Sequence, residues 1–165
     1  MKKKVWYAPN KLEAYGEEEI KAVEQCLRDG WLAGFGPRSI EFEEKIAKEF
    51  GKKFGVFVNS GSSACLLALA ALDLPKGCKV ITPALTFSTT LAPIIQLGFK
   101  PTFIDSNLTS YVPNIEDIIN AITDDTKAIM VPNLIGNKPD WTKLQNELTR
   151  IKREDIYIIE DSADT

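Results

Sequence analysis

The chain has 165 residues, 44% of them hydrophobic and 26% charged, and a formal net charge of −3. That is enough for roughly one domain with a sizeable core, and it offers no positive field of the kind nucleic-acid binding requires. Histidine is absent, which excludes His-ligated metals and any Ser-His or Cys-His nucleophile pair within this segment. Cys26, Cys65 and Cys78 are scattered without a CxxC spacing, so neither a disulfide framework nor a zinc site is indicated.

In chain order, Lys2 to Lys4 make a small basic cluster, followed by Trp6, Tyr7 and Glu13 without the long apolar stretch of a signal peptide or membrane span. A soluble cytoplasmic protein is the expectation. Glu17 to Asp29 reads as a helix with Ile20, Val23 and Leu27 on one face and Gly30 as its stop. Ser39 to Phe50 reads as a second, with Phe42, Ile46 and Phe50 at four-residue spacing before Gly51. The glycine-rich stretch from Gly30 to Pro37 between them predicts an ordered loop.

From there strands and helices alternate. Phe54 to Val58 precedes a helix over Ala64 to Leu72, Lys79 to Thr82 one over Ser88 to Leu97, and Pro101 to Asp105 one over Ile115 to Ile122. Lys127 to Val131 follows, then a helix from Trp141 to about Lys152 and a fifth strand, Ile156 to Glu160. Ile115, Ile118, Ile119 and Ile122 form an apolar stripe behind Asn114 as N-cap, and Trp141, Leu144, Leu148 and Ile151 form another behind Asp140. The alternation predicts an α/β fold: right-handed βαβ crossovers and a mostly parallel sheet covered on both faces, a three-layer α/β/α arrangement. A buried parallel strand needs a covering helix and neighbouring strands, so a chain ending just after Glu160-Asp161 is expected to be the front part of a larger enzyme.

Ligands of open parallel sheets gather outside the carboxyl ends of the strands. After the first predicted strand, Asn59-Ser60-Gly61-Ser62-Ser63-Ala64 offers a tight turn at Gly61 and the amides and hydroxyls of Ser62 and Ser63 at a helix start, where a phosphate is favoured. The plainer reading is a serine N-cap on an ordinary turn. No P-loop lysine and no GxGxxG is present, which argues against nucleoside triphosphates and dinucleotides. Phe87 stands just past the second strand, where a ring could lie against a planar ligand, although core is the commoner fate of an aromatic. Asn133, after the fourth strand, could orient a ligand hydroxyl or simply satisfy loop backbone. Glu160 and Asp161 must point to opposite sheet faces, so only one can address a given ligand. A carboxylate buried there wants a cationic or hydrogen-bonding partner, for which a protonated pyridine nitrogen would serve; otherwise Asp161 caps a following helix.

Five blocks in this order carry a resemblance: Gly34-Phe35-Gly36-Pro37 with Phe42-Glu43, Asn59 to Ala64, Pro83-Ala84-Leu85-Thr86-Phe87, Leu134-Ile135-Gly136-Asn137, and Glu160-Asp161-Ser162-Ala163-Asp164. From about Tyr15 to Thr165 the chain resembles the DegT/DnrJ/EryC1/StrS family of pyridoxal phosphate enzymes acting on nucleotide-linked keto sugars. The resemblance implies that residues 1–165 are the N-terminal part of the large cofactor-binding domain of a fold-type I aminotransferase. It implies Gly61, Ser62 and Ser63 in the phosphate turn, Phe87 stacking on the cofactor ring, Asp161 bonding the pyridine nitrogen as the catalytic carboxylate, and Asp164 beside the cofactor. The family's Schiff-base lysine lies downstream of the Glu-Asp block; no lysine of this chain matches it, so the segment alone is expected to be inactive.

Asp164 stands where aminotransferases of the family commonly have Gln or His, and Asn133 where many members carry His. A Glu-Asp-x-x-Asp pattern and a Leu-Gly-Asn-like block bring the chain near the sugar 3-dehydrase branch, which replaces the lysine with histidine and uses pyridoxamine phosphate to eliminate a hydroxyl. Aminotransferase-family enzyme is the broader expectation. The implied partners are a nucleotide-linked keto sugar, an amino donor such as glutamate and a second subunit of a homodimer, in amino or deoxy sugar synthesis for surface polysaccharide; neither nucleic acid nor membrane is expected. The rivals are a non-catalytic α/β binding module and a different α/β enzyme holding a phosphorylated metabolite at Ser60 to Ser63.

Overall fold

A computed structural model describes residues 15–31 and 34–164. The basic cluster Lys2 to Lys4, the following Trp6, Tyr7 and Glu13, and Leu32 and Ala33 of the glycine-rich loop lie outside the described residues. The chain divides into two compact units, residues 1–57 and 58–165.

The first unit holds α1 (Glu17–Asp29) and α2 (Pro37–Glu49). Helix α1 ends where expected, because Gly30 takes the left-handed conformation at φ 72° that closes a helix without a Cβ penalty. Helix α2 begins two residues earlier than the sequence suggested, since Pro37 is pre-set for a first helical turn and lacks only an N–H that would be orphaned there. Behind α2, the Phe42 and Phe57 rings meet edge to face at 5.1 Å, and the Phe57 N–H donates to Glu43 at 2.7 Å. A Cβ on Gly55 would come within 2.5 Å of the Glu43 carbonyl, so only glycine permits that approach.

The strand expected over Phe54 to Val58 is not formed, and the described sheet has four strands rather than five. The apolar run finds no ladder partner among the described residues, and Phe54 and Val56 are 76% and 67% exposed. A strand exists only through the hydrogen bonds of its neighbours, which a local pattern cannot supply.

The second unit is the three-layer part. It runs α3 (Gly61–Ala70), β1 (Lys79–Pro83), α4 (Ser88–Gln96), β2 (Lys100–Ile104), α5 (Ile115–Asn120), β3 (Thr126–Pro132), a 3₁₀ turn (Leu134–Gly136), α6 (Trp141–Arg150) and β4 (Tyr157–Asp161). The strands are all parallel, in the order β2-β1-β3-β4. Helix α3 starts three residues before its expected first residue because Ser60 caps it, and α5 stops two residues short of Ile122. Asn114 occupies the N-cap position of α5, but its amide donates to the Asp117 carboxylate at 2.9 Å and makes no backbone cap, whereas Asp140 caps α6 through the Lys143 N–H as expected.

Alternation along the strands builds two cores. Ile81, Ile129 and Val131 pack with Ile118, Leu144 and Leu148 from α5 and α6. Val80, Ala128 and Met130 pack with Cys65, Leu69 and Ile94 from α3 and α4. The register β3 to β4 ends at Pro132 opposite Asp161, and the ladder is carried one step further by the Asn133 N–H donating to the Asp161 carbonyl at 2.9 Å. That step sets Asn133 and Asp161 side by side at the carboxyl edge.

Candidate active site

The chain leaves β1 towards β2 on one side and comes back to β3 on the other, so the carboxyl ends of β1 and β3 diverge and leave a crevice. A cavity of about 500 Å³ lies at this edge, walled by the loop after β1, the ends of β3 and β4 and the first turn of α3. Of the residues singled out by sequence, Gly61, Ser62, Phe87, Asn133, Asp161 and Asp164 line it. Ser63 does not; it faces an adjoining hollow of about 200 Å³.

Asp161, at the last position of β4, falls on the same sheet face as Ile159 and so turns towards α3 and α4. Its Oδ2 accepts a hydrogen bond of 2.8 Å from the Thr90 hydroxyl, which is fully buried in α4 and in turn accepts one of 2.8 Å from the Thr86 hydroxyl. The Cys65 thiol of α3 borders the same cavity; burial, then the Asp161 charge, push that thiol up to about 12, so it stays protonated throughout the physiological range. Among the described residues Asp161 forms no ion pair.

Glu160 points the other way, as alternation requires, and accepts from the Asn133 amide. That amide also donates to Ser162 Oγ at 3.0 Å, which fixes its orientation, and Asn133 is only 2% exposed. Its side chain therefore serves no loop backbone, and its Oδ1 is buried with no partner among the described residues.

Phe87 is 71% exposed at the N-cap position of α4, not in the core where an aromatic is commonly found. Asp164 accepts from the Ile135 N–H at 3.1 Å, holding a turn in which Ile135 sits at φ 55°, a left-handed conformation strained for a β-branched side chain. At the head of α3, Ser60 Oγ accepts from the Ser63 N–H at 3.2 Å and donates to Ser63 Oγ at 3.2 Å. Ser63 is thus occupied locally, while Gly61 and Ser62 present the first turn of the helix to the cavity.

The sequence reading missed Thr86, Thr90 and Cys65. The available signal was the spacing of four between Thr86 and Thr90, which places two hydroxyls on one side of a helix start; nothing local ties Thr90 to a carboxylate 71 residues further on.

Residues 13–165 match the model of the DegT/DnrJ/EryC1/StrS aminotransferase family. The chain is 37% identical over 153 residues to a GDP-4-keto-6-deoxy-D-mannose 3-dehydratase of Escherichia coli O55:H7, covering 89% of this chain and 38% of the relative. It is 32% identical over 147 residues to GDP-perosamine synthase of Escherichia coli O157:H7, covering 89% and 40%. A solved structure of the E. coli GDP-4-keto-6-deoxy-D-mannose-3-dehydratase with bound hydrated pyridoxal phosphate superposes with a TM-score of 0.82 at 35% identity, over 91% of this chain and 39% of that one. The chain thus spans about two fifths of the length of the relatives it matches. On the breadth of these matches, the chain belongs to the DegT/DnrJ/EryC1/StrS aminotransferase family.

Proposed function

We propose that the cavity holds pyridoxal 5′-phosphate, or its pyridoxamine form, and that the protein acts on the keto group of a nucleotide-linked sugar. The observation that carries this reading is the Asp161 carboxylate, which lines the cavity with the neutral Thr90 hydroxyl bonded to it and no cation paired with it among the described residues. A partly buried carboxylate so placed is one positive charge short, and a protonated pyridine nitrogen fits that deficit.

When bound, the cofactor supplies an electron sink for the carbon bearing the amine. The chain's own residues do the holding. Asp161 keeps a proton on the ring nitrogen by offering it a fixed negative charge. Phe87, exposed and beside the cavity, is the aromatic side chain free to cover a ring face. Gly61 and Ser62 bring the positive end of α3 to the phosphate, whereas Ser63 contributes by closing the helix start against Ser60. Asp164 and Asn133 border the same space, the first holding the Ile135 turn and the second bringing a buried amide to it.

Residues 1–165 are read as the N-terminal part of the cofactor-binding domain of a homodimeric cytoplasmic enzyme that uses an amino donor such as glutamate in making amino or deoxy sugars for surface polysaccharide. No helix among the described residues is long and apolar enough to cross a membrane. A second reading, removal of the sugar 3-hydroxyl by a pyridoxamine-dependent 3-dehydratase, is favoured by Asp164 and the Leu134-Ile135-Gly136-Asn137 block.

The test is an equilibrium titration of the protein with the cofactor, read by absorbance and fluorescence. Asp161→Ala is expected to weaken binding by about 30-fold or more, the cost of truncating one member of a desolvated charge pair. Unchanged affinity overturns the reading.

A further inference from the structure

We infer that Thr90, with Thr86 behind it, is a positioning residue that fixes the Asp161 carboxylate towards the cavity where the ring nitrogen would be held, so that this hydroxyl relay tunes how firmly that nitrogen would keep its proton. The inference rests on the cofactor reading above. Its ground is the direction of the chain of bonds. A threonine hydroxyl has one proton to give; Thr86 gives its proton to Thr90, and Thr90 gives its own to Asp161 Oδ2, each at 2.8 Å.

Accepting from Thr86 makes Thr90 a better donor, because bonds in such a chain polarise one another in a low-dielectric surrounding. Thr90 is fully buried, so water does not compete for the bond. The Asp161 side chain, which would otherwise swing about its own bonds at the end of an outer strand of the described sheet, is held to a helix of the opposite layer. Thr86 also lines the cavity, which puts the open end of the relay next to whatever is bound there. Cys65 of α3 borders the same cavity on that face of the sheet, and α4 alone supplies the hydroxyl that holds Asp161.

A carboxylate fixed in this way discriminates between charge states of its ligand. It stabilises a cation without reorienting, because the Thr90 hydroxyl already holds it in place. Losing the Thr90 donor leaves the carboxylate free to turn away from the cavity, and the ring nitrogen should then surrender its proton at lower pH.

The experiment compares Thr90→Val, which keeps the shape and removes the donor, with Thr90→Ser, which keeps the donor, and with Thr86→Val and Asp161→Asn. Three readouts are taken: cofactor affinity, the pH at which the bound ring nitrogen deprotonates, followed by ¹⁵N-labelled cofactor, and thermal unfolding without cofactor. Thr90→Val is expected to weaken binding about 10-fold, the usual worth of a hydrogen bond to a charged group, and to lower the deprotonation pH. Thr90→Ser should restore both, and Thr86→Val should shift both in the same direction by less. If Thr90→Val and Thr90→Ser weaken binding equally while lowering the unfolding temperature equally, Thr90 is only a packing residue and the inference fails. If Asp161→Asn weakens binding but Thr90→Val and Thr86→Val do not, the relay is idle and the inference fails while the cofactor reading stands. If Asp161→Asn leaves binding unchanged, the cofactor reading itself fails, and the relay with it.

Discussion

The two faces of the sheet are packed by different rules. Towards α5 and α6 the strands send Ile81, Ile129 and Val131 into a cluster of isoleucine, leucine and valine side chains that only exclude water. Towards α3 and α4 the same strands send Val80, Ala128 and Met130, but the carboxyl end of that face carries Thr90 hydrogen-bonded to Asp161, with the Cys65 thiol beside the same cavity. Thr82, on that face by alternation, is fully buried, and its hydroxyl has no partner among the described residues. One face thus gives stability and the other gives up some of it to arrange polar groups around a cavity, a concession found at functional sites.

The sharpest way to break this division is to damage the apolar face and ask whether the polar one notices. Leu144 is fully buried in α6, and Leu144→Ala should cost about 2–5 kcal/mol of unfolding free energy in urea melts, through lost transfer energy and an unrelaxed cavity. Cofactor affinity, measured well below the transition, should stay within about 2-fold. A parallel loss of binding would mean the two faces are coupled and the contrast is wrong.

A smaller effect is expected at the amino ends of the strands, away from the cavity. Arg153 donates to the Thr123 carbonyl at 3.0 Å and to the Thr126 carbonyl at 2.7 Å, tying down the entry to β3. Arg153→Ala should cost about 1–3 kcal/mol, because these acceptors lose charged donors where Thr126 is fully buried. The same guanidinium, followed by the Lys127 ammonium, holds the Asp155 carboxyl down to about 2. That depressed value contributes stability above the ordinary aspartate range and loses it as pH falls towards 2, so the variant should also melt at higher pH than the parent in an acid titration.

How much of this was legible depended on whether the deciding contact was local. The alternation of strands and helices, the stop at Gly30 and the opposite facing of Glu160 and Asp161 all follow from patterns within a few residues, and the structure has them. Phe54 to Val58 has the composition of a strand, yet nothing among the described residues pairs with it, and pairing is a property of the partner. Phe87 was open to two readings because hydrophobicity alone sends aromatics inside; its place just after β1, at the head of α4, leaves it exposed. Thr90 was invisible because a helical threonine acquires meaning only from the strand end that lies against it.

The Cys65 thiol gives a test specific to the polar face. Its folded value is raised to about 12 from an ordinary 9.0, chiefly by burial and then by the Asp161 charge. A raised value means the contribution to stability is fully present below pH 9 and is lost as pH climbs towards 12, since only the unfolded chain releases the proton in that window. Unfolding free energy should therefore fall by about 1.4 kcal/mol per pH unit above pH 9 on account of this one group. Cys65→Ala should flatten that slope by one proton, and an unchanged slope would mean that the thiol does not sit in the apolar surroundings and beside the charge described.

The smallest effect separates a cap from a ligand-holding residue at the head of α3. Ser60 accepts from the Ser63 N–H, and Ser60→Ala should cost about 1 kcal/mol, the usual worth of a serine N-cap. If the phosphate is held by the first turn at Gly61 and Ser62, freeing the Ser63 amide adds a donor near that site and removes none. The variant should then lose stability without cofactor yet bind it within about 3-fold of the parent, and added cofactor should narrow the difference in melting temperature by mass action. A drop in affinity of 10-fold or more would place Ser60 among the residues that touch the phosphate, and the polar face would extend one residue further back along the chain than the cavity lining suggests.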